Sequence, residues 1–429
     1  MKINKKLMWL YILSAAIYAT QGFEGLPGLS FFFFLKEKLG LTPEKLMYIS
    51  AIATIPWLIK PLLGFFIDNI FSQKKWIILS LIGSILISLL FGLSPILTIP
   101  LIIIMSMLGN FNTAIRDISN DGLACVEGKK SNTCNIFQNV QWTSITIATM
   151  IVGLTGGYLA DHYSYKIAYL CLIPIYLIIM GIVLKYKTTT LKHSTATKEE
   201  SCGICKFGLD CAGDENNICE GFQSIKKKIS ILKTIYSYKE LFTNKSFLLG
   251  CLFIFLYNFN PSFGTVLMYI ERDSFHWSGT FMGTLTAITS GLSILGSILY
   301  YKFSKKIDLK KLLYFAVLTG AITTLSYLYF TPISAIVYSI IYSIIGMFVF
   351  LNIMTYMAES TISGKEATSF ALLCSINNLA GTCSTLSGAY LFPKIGLHPL
   401  IIVSAFTSFL CLPLIQHLKI GGSNGYRRL

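Results

Sequence analysis

Apolar residues in this chain do not keep to one side of a helical or strand period. They fall in long runs, such as Ile77–Leu90 and Phe247–Leu256. A run near twenty residues with few charges is long enough for a helix to cross the hydrocarbon core of a bilayer. The pattern predicts spans at Leu7–Leu35, Leu46–Ile70, Trp76–Leu93, Ile96–Val126, Cys134–Leu159 and Tyr165–Leu184. After a polar segment it predicts Phe247–Ile270, Gly279–Tyr301, Leu312–Phe330, Ile333–Met357, Ala367–Leu391 and Leu400–Leu418. The first stretch is far longer than the h-region of a signal peptide and no small-residue cleavage site closes it, so it reads as a retained helix.

The expected fold is therefore all-α and integral to a membrane, with twelve transmembrane helices in two six-helix halves. The halves fall at 1–185 and 246–420, around a central loop 186–245, with a tail at 421–429. Composition agrees: 54% of the 429 residues are hydrophobic and 13% charged, too few charges to cover a globular domain of that length.

Charge sets the orientation. With the N-terminus inside, the inner segments carry Lys2, Lys5, Lys6, Lys74, Lys75, Lys129, Lys130, a lysine group from Lys302 to Lys311, Lys365, Lys419, Arg427 and Arg428. The outer segments carry Lys36, Lys38, Lys45, Lys166, Arg272 and Lys394. This bias places both termini in the cytoplasm. It accounts for the net charge of +15 without nucleic acid, and its juxtamembrane lysines are expected to meet anionic lipid.

Gly64-Phe65-Phe66-Ile67-Asp68 followed by Lys74-Lys75 resembles the Gly-x-x-x-Asp plus basic motif after the second helix of the major facilitator superfamily. Gly296 to Lys302 is a weaker echo in the second half. The resemblance implies that Gly64 and Asp68 belong to a gate, and that the halves rock about a site near the bilayer midplane.

Ionisable groups at membrane depth are costly, so each is a functional candidate. Glu24 sits among Gln21, Gly22, Gly25, Pro27 and Gly28, which either break the first helix or let it pack closely. Lys60, in Pro56-Trp57-Leu58-Ile59-Lys60-Pro61, lies about two turns before Asp68. It is read either as a cation for an anionic substrate or as a partner for a carboxylate on the fourth helix. That helix carries Asn112, Arg116, Asp117, Asn120 and Asp121. Arg116 and Asn120 share a face, as do Asp117 and Asp121, being four residues apart. One basic and two acidic groups can exchange partners when a substrate or proton arrives; the alternative is a fixed salt-bridge network. Expected substrate-binding residues are Lys60, Arg116, Gln138, Trp142, Asn258 and Asn352, and expected proton-coupling residues are Asp117, Asp121 and Glu24. Gln141, Asn260, Glu359, Asn377 and Asn378 add polar groups to both halves.

Several blocks resemble the folate–biopterin transporter family of the superfamily. In the first half these are Gln21-Gly22, Leu39-Gly40-Leu41, Pro56-Trp57-x-x-Lys60-Pro61-x-x-Gly64-x-x-x-Asp68, Asp117-x-x-x-Asp121 and Gln138-x-x-x-Trp142. In the second half they are Pro261-Ser262 with Tyr269, Phe275 and Gly283, then Lys365-Glu366-Ala367-Thr368 and Asn377-Asn378-Leu379. The resemblance implies carriage of folate or pterin, coupled to protons, by a monomer. A pterin edge offers adjacent N–H donors to a carboxylate, and a folate tail offers carboxylates to Lys60 or Arg116. Arg116 and Glu24 depart from the family pattern. Gly25-Leu26-Pro27 and the Asp117/Asp121 spacing are also similar to carriers of muropeptides and of acetyl-coenzyme A, which leaves another bulky anion as the alternative cargo.

The central loop holds Cys202-x-x-Cys205, then Cys211 and Cys219. Four thiolates can close a tetrahedral zinc site; otherwise they are free thiols in a linker, since a cytosolic position disfavours disulfides. A zinc- or redox-sensing receptor built on a transporter frame is the reading from a different class. No catalytic triad, phosphate loop or HExxH motif is visible, so an enzyme is not expected, and no cofactor beyond that zinc is implied.

Overall fold

The computed structural model describes residues 5–131, 134–186, 241–304, 306–362 and 366–418. The described residues up to Tyr186 and from Leu249 onward belong to one compact unit; of a second, Lys187–Leu248, residues 241–248 are described. Every regular element among the described residues is helical.

The N-terminal series runs α1 (Lys5–Phe23), α2 (Gly28–Phe33) with a π-helical extension to Lys38, α3 (Pro43–Ala53), α4 (Ile55–Leu58) and α5 (Lys60–Ile70). It continues with α6 (Gln73–Leu93), α7 (Ile99–Ser131), α8 (Cys134–His162) and α9 (Tyr165–Lys185). The C-terminal series runs α10 (Lys245–Asn258), α11 (Gly264–Asp273), α12 (Gly279–Ser304) and α13 (Leu309–Ser326). It ends with α14 (Pro332–Glu359), α15 (Glu366–Ile395), α16 (Leu397–Phe409) and α17 (Leu412–His417). Among the described residues, eight helical stretches are long and apolar enough to cross a membrane. Large apolar side chains such as Leu86, Ile178, Ile298, Ile322 and Phe406 are exposed along them, which suits a lipid surround and not water.

The first, second and seventh predicted spans are interrupted, and the sequence explains each interruption. Proline has no N–H to give to the preceding turn. Pro27 closes the turn between α1 and α2, Pro56 and Pro61 sit in the first turns of α4 and α5, and Pro261 lies between α10 and α11. Local bonds recover part of the freed backbone: Glu24 N–H donates to Thr20 O at 2.8 Å and Gly28 N–H to Gly25 O at 2.8 Å. Both readings of the glycine-rich first span therefore hold. The helix breaks after Phe23, and Gly22 packs so closely on α8 that a Cβ there would lie 2.5 Å from the Ala148 Cβ.

The two series meet along α8 and α12. Gly153 and Gly157 face Gly279 and Gly283, and a Cβ on Gly153 would lie 2.6 Å from the Gly283 carbonyl oxygen. Paired small residues four apart let two helix backbones approach this closely. At the end of the bundle far from the N-terminus, here the distal end, polar bridges join the series. Lys36 pairs with Asp273, Arg272 Nε donates to Glu37 Oε1 at 2.9 Å, and the Tyr269 hydroxyl donates to the Leu41 carbonyl. Asp161, at the end of α8, accepts from the Gly279 and Thr280 N–H groups at 2.7 Å each and so caps α12 from the other series. Phe32, Phe33, Trp277 and Met282 fill the space beneath.

Candidate functional site

Helices α1 and α7 run antiparallel and are joined by four polar rungs. Ser14 Oγ donates to Asn120 Oδ1 at 3.0 Å, and the Tyr18 hydroxyl to Asp121 Oδ1 at 2.6 Å. Gln21 Nε2 donates to Asp117 Oδ1 at 2.8 Å, and Thr113 Oγ1 to Glu24 Oε2 at 2.9 Å. Ser14, Tyr18, Gln21 and Glu24 are three or four residues apart, and on α7 Thr113, Asp117 and Asp121 are four apart with Asn120 beside the last, which keeps the rungs on facing stripes.

Two ion pairs flank this ladder and have different surroundings. Arg116 is 1% exposed and is bonded to Glu24, with a second bond from Nη1 to Ser84 Oγ at 3.1 Å. The Tyr176 hydroxyl adds a bond to Glu24 Oε1 at 3.2 Å, and the Arg116 guanidinium lies 5.8 Å from the Tyr176 ring centroid. This pair ties α1, α6, α7 and α9 together. Removing one member would strand a charge in a low-dielectric interior, which costs about 3–5 kcal/mol.

The second pair is Lys60 with Asp117, Nζ to Oδ2 at 2.5 Å. Lys60 is the first residue of α5, placed there by the break at Ile59. Its ammonium lies 4.5 Å from the Trp57 ring centroid, and Trp57 is fixed by an Nε1–H bond to Asn110 Oδ1 at 2.8 Å. One helical turn beyond Asp117, Asp121 is exposed, and Gln141 Nε2 joins Tyr18 as a donor to it at 3.2 Å. Cys374 on α15 is close enough to Lys60, Asp117 and Asp121 to interact with them electrostatically. Asn378 on the same helix donates to the Trp57 carbonyl at 3.4 Å. One cation, two carboxylates and an indole thus gather where α4, α5, α7 and α15 approach.

The other expected residues are more scattered. Trp142 packs edge-on against Phe350 of α14 at 4.7 Å between centroids. Asn258 Nδ2 donates to its own helix, at Ile254 O. Asn352 is fully buried, and neither side-chain polar atom has a hydrogen-bond partner among the described residues. A Cβ at Gly64 would meet only Ile118, at 3.7 Å. The Asp68 and Gln138 side chains lie outside the described set, as do Cys202, Cys205, Cys211 and Cys219. Sequence reasoning missed the distal bridge of Lys36, Glu37, Asp161, Arg272 and Asp273. Its signal was legible in part, because Gly153-x-x-x-Gly157 and Gly279-x-x-x-Gly283 mark a close crossing that brings those loops together.

A family model described as BT1 family matches residues 21–420. The chain belongs to the BT1 family. Its match spans both series and includes every residue of the Lys60–Asp117–Asp121 group. Relatives of the BT1 chain include the folate-biopterin transporter of Synechocystis, 24% identical, with 96% of this chain and 82% of the relative aligned. The probable folate-biopterin transporter 4 of Arabidopsis thaliana is 23% identical over 91% of this chain and 89% of its own. Folate transporter 1 of Plasmodium falciparum is 24% identical over 90% and 74%. Among solved structures, the nucleoside transporter NupG superposes with a TM-score of 0.69 at 12% identity, covering 97% of this chain and 100% of that one. The inward-open xylose transporter XylE of E. coli gives 0.69 at 10% identity, covering 98% and 97%. The chain is a multi-pass membrane transporter with the major facilitator fold, and not an enzyme.

Proposed function

We propose that this transporter carries folate or a related pterin by proton-coupled alternating access. Its twelve spans form two halves, and both termini face the cytoplasm. The observation that carries the reading is the Lys60–Asp117 pair beside the exposed Asp121. An incoming substrate carboxylate can displace Asp117 from the Lys60 ammonium and take over its charge-assisted bond. Asp117, released from its cation, then takes up a proton, so one proton and one anion enter together. The Trp57 ring, already against Lys60, offers a flat face to an aromatic cargo. Glu24 and Arg116, closed on each other, hold the scaffold in this scheme and do not touch cargo. The names of the relatives support the choice of substrate class.

Alternating access here works on the distal bridge. The bridge holds the distal end shut while Asp121 is exposed, and its release would expose the site from the other side. The test is uptake by purified protein in liposomes under an imposed proton gradient, across folate, biopterin and a muropeptide. Saturable folate or biopterin uptake that collapses with the gradient is expected. Uptake of the muropeptide alone would overturn the substrate class, and gradient-independent uptake would overturn the coupling.

A further inference from the structure

The seventh span is broken at 259–263, and the break is fastened by its neighbours. The Ser384 hydroxyl donates to the Asn260 carbonyl, and the Ser262 N–H donates to Ser384 O at 3.0 Å. Asn260 Oδ1 accepts from Ser408 at 2.8 Å. Gly388 has no side chain where the Ser262 carbonyl passes, and a Cβ there would collide with it. The break is therefore a held feature of the fold, and it leaves a cavity of about 480 Å³ bounded by α10, α11, α13, α15 and α16. Its lining comes from residues 257–408, whereas the acids and base of the charged cluster come from residues 60–121.

The lining selects a chemistry. Among the described residues no charged side chain lines the cavity, and the carboxylate within electrostatic reach of its Tyr327 is Glu271, so an anion entering it would lose its hydration without a counter-charge. Asn258 Nδ2 and the Thr323 hydroxyl donate to their own helices, but a purely aliphatic occupant would still leave the Asn258 amide oxygen and the Ser262 hydroxyl facing hydrocarbon. Tyr257, Phe263 and Tyr327 add aromatic surface, and neither tyrosine hydroxyl has a hydrogen-bond partner among the described residues. Uncharged donors and acceptors beside aromatic faces suit a flat ring with a hydrogen-bonding edge, and the volume is that of an ordinary small-molecule site.

We propose that this cavity is a second binding site, distinct from the Lys60 cluster, for a neutral bicyclic heteroaromatic ring. Only the choice of probe rests on the pterin-carrier reading; the site rests on the cavity. The experiment is equilibrium binding of labelled biopterin, which is uncharged, to the purified full chain. Gly320 lines the cavity, and a Cβ there meets nothing within 4 Å, so Gly320→Leu fills the space without a backbone clash. Tyr257→Phe with Tyr327→Phe removes the two hydroxyls and keeps the shape. Gly346→Leu, also in open space but outside the lining, is the control.

Read in a Lys60→Ala background, so that the cavity is measured apart from the first site, biopterin affinity should fall about tenfold or more in Gly320→Leu and in the double phenylalanine variant, and stay unchanged in the control. Absence of biopterin binding to the unmodified chain, or equal binding by all variants, overturns the proposal. Loss of binding in Gly320→Leu without folate uptake by liposomes would sink the carrier reading and leave the cavity standing. Saturable uptake with unaltered biopterin binding in both cavity variants would sink the cavity alone.

Discussion

The Lys60 ammonium lies 2.5 Å from Asp117 Oδ2, and Asp121, one turn along the same helix, has only neutral donors, Tyr18 and Gln141, bonded to its side chain among the described residues. One carboxylate thus holds the cation while the next stands by. Lys60→Ala is expected to reduce folate uptake roughly a hundredfold, the loss of a charge-assisted bond plus a stranded carboxylate. Asp117→Asn should preserve binding of the anion and abolish gradient-driven accumulation. Uptake and counterflow in liposomes separate the two, because counterflow needs no proton gradient.

Glu24 and Arg116 should matter to stability first. Glu24→Gln leaves Arg116, 1% exposed, without its anion and should cost about 3–5 kcal/mol. A double variant, Glu24→Leu with Arg116→Met, should recover much of that loss. Thermal unfolding in detergent reads both, and equal melting of wild type and Glu24→Gln would contradict the structural role.

The distal bridge predicts a population shift. Asp161→Ala removes both hydrogen bonds to the first turn of α12, worth about 1–2 kcal/mol as a helix cap, or roughly a tenfold shift toward the distal-open state. Spin labels on the loops near Lys36 and Phe275 would report the distance distribution, and an unchanged distribution would count against the latch.

Gly283 permits the backbone contact that the latch secures. A Cβ at Gly283 would run into the Gly153 carbonyl, so Gly283→Val should hold the distal end open and stop transport while the chain still folds. The same distance measurement distinguishes this from simple misfolding, which would broaden every distance.

Cys374 supplies a labelling test of the Lys60 site. It is partly exposed and within electrostatic reach of Lys60 and both aspartates, so a small maleimide should modify it slowly over hours, and saturating folate should slow that reaction further, several-fold. Protection absent in Lys60→Ala would tie the effect to the site.

Much of this was legible in the chain order of residues. Run length gave the all-helical, multi-pass character, with eight stretches among the described residues long and apolar enough to cross, since a helix must satisfy its own backbone in lipid and the bilayer sets its length. The glycines and Pro27 marked the break in the first span as one of two readings. The sequence pattern runs the second and seventh spans continuously across Pro56, Pro61 and Pro261, and they are broken there. The four-residue spacing put Asp117 and Asp121 on one stripe of α7, and an open choice for Lys60 included the carboxylate partner it has.

Partner choice was decided only by tertiary packing. Spacing placed Arg116 with Asn120, yet Arg116 closes on Glu24 and Ser84 while Asn120 receives Ser14. Those pairings depend on how α1, α6 and α7 are rotated about their axes, and a helical period fixes only which residues share a stripe. The Asp161 cap and the uncharged cavity likewise join residues more than a hundred positions apart. Periodicity within a helix is local and survives in the sequence; which stripe meets which is set by the summed packing of every helix, and exists only in the fold.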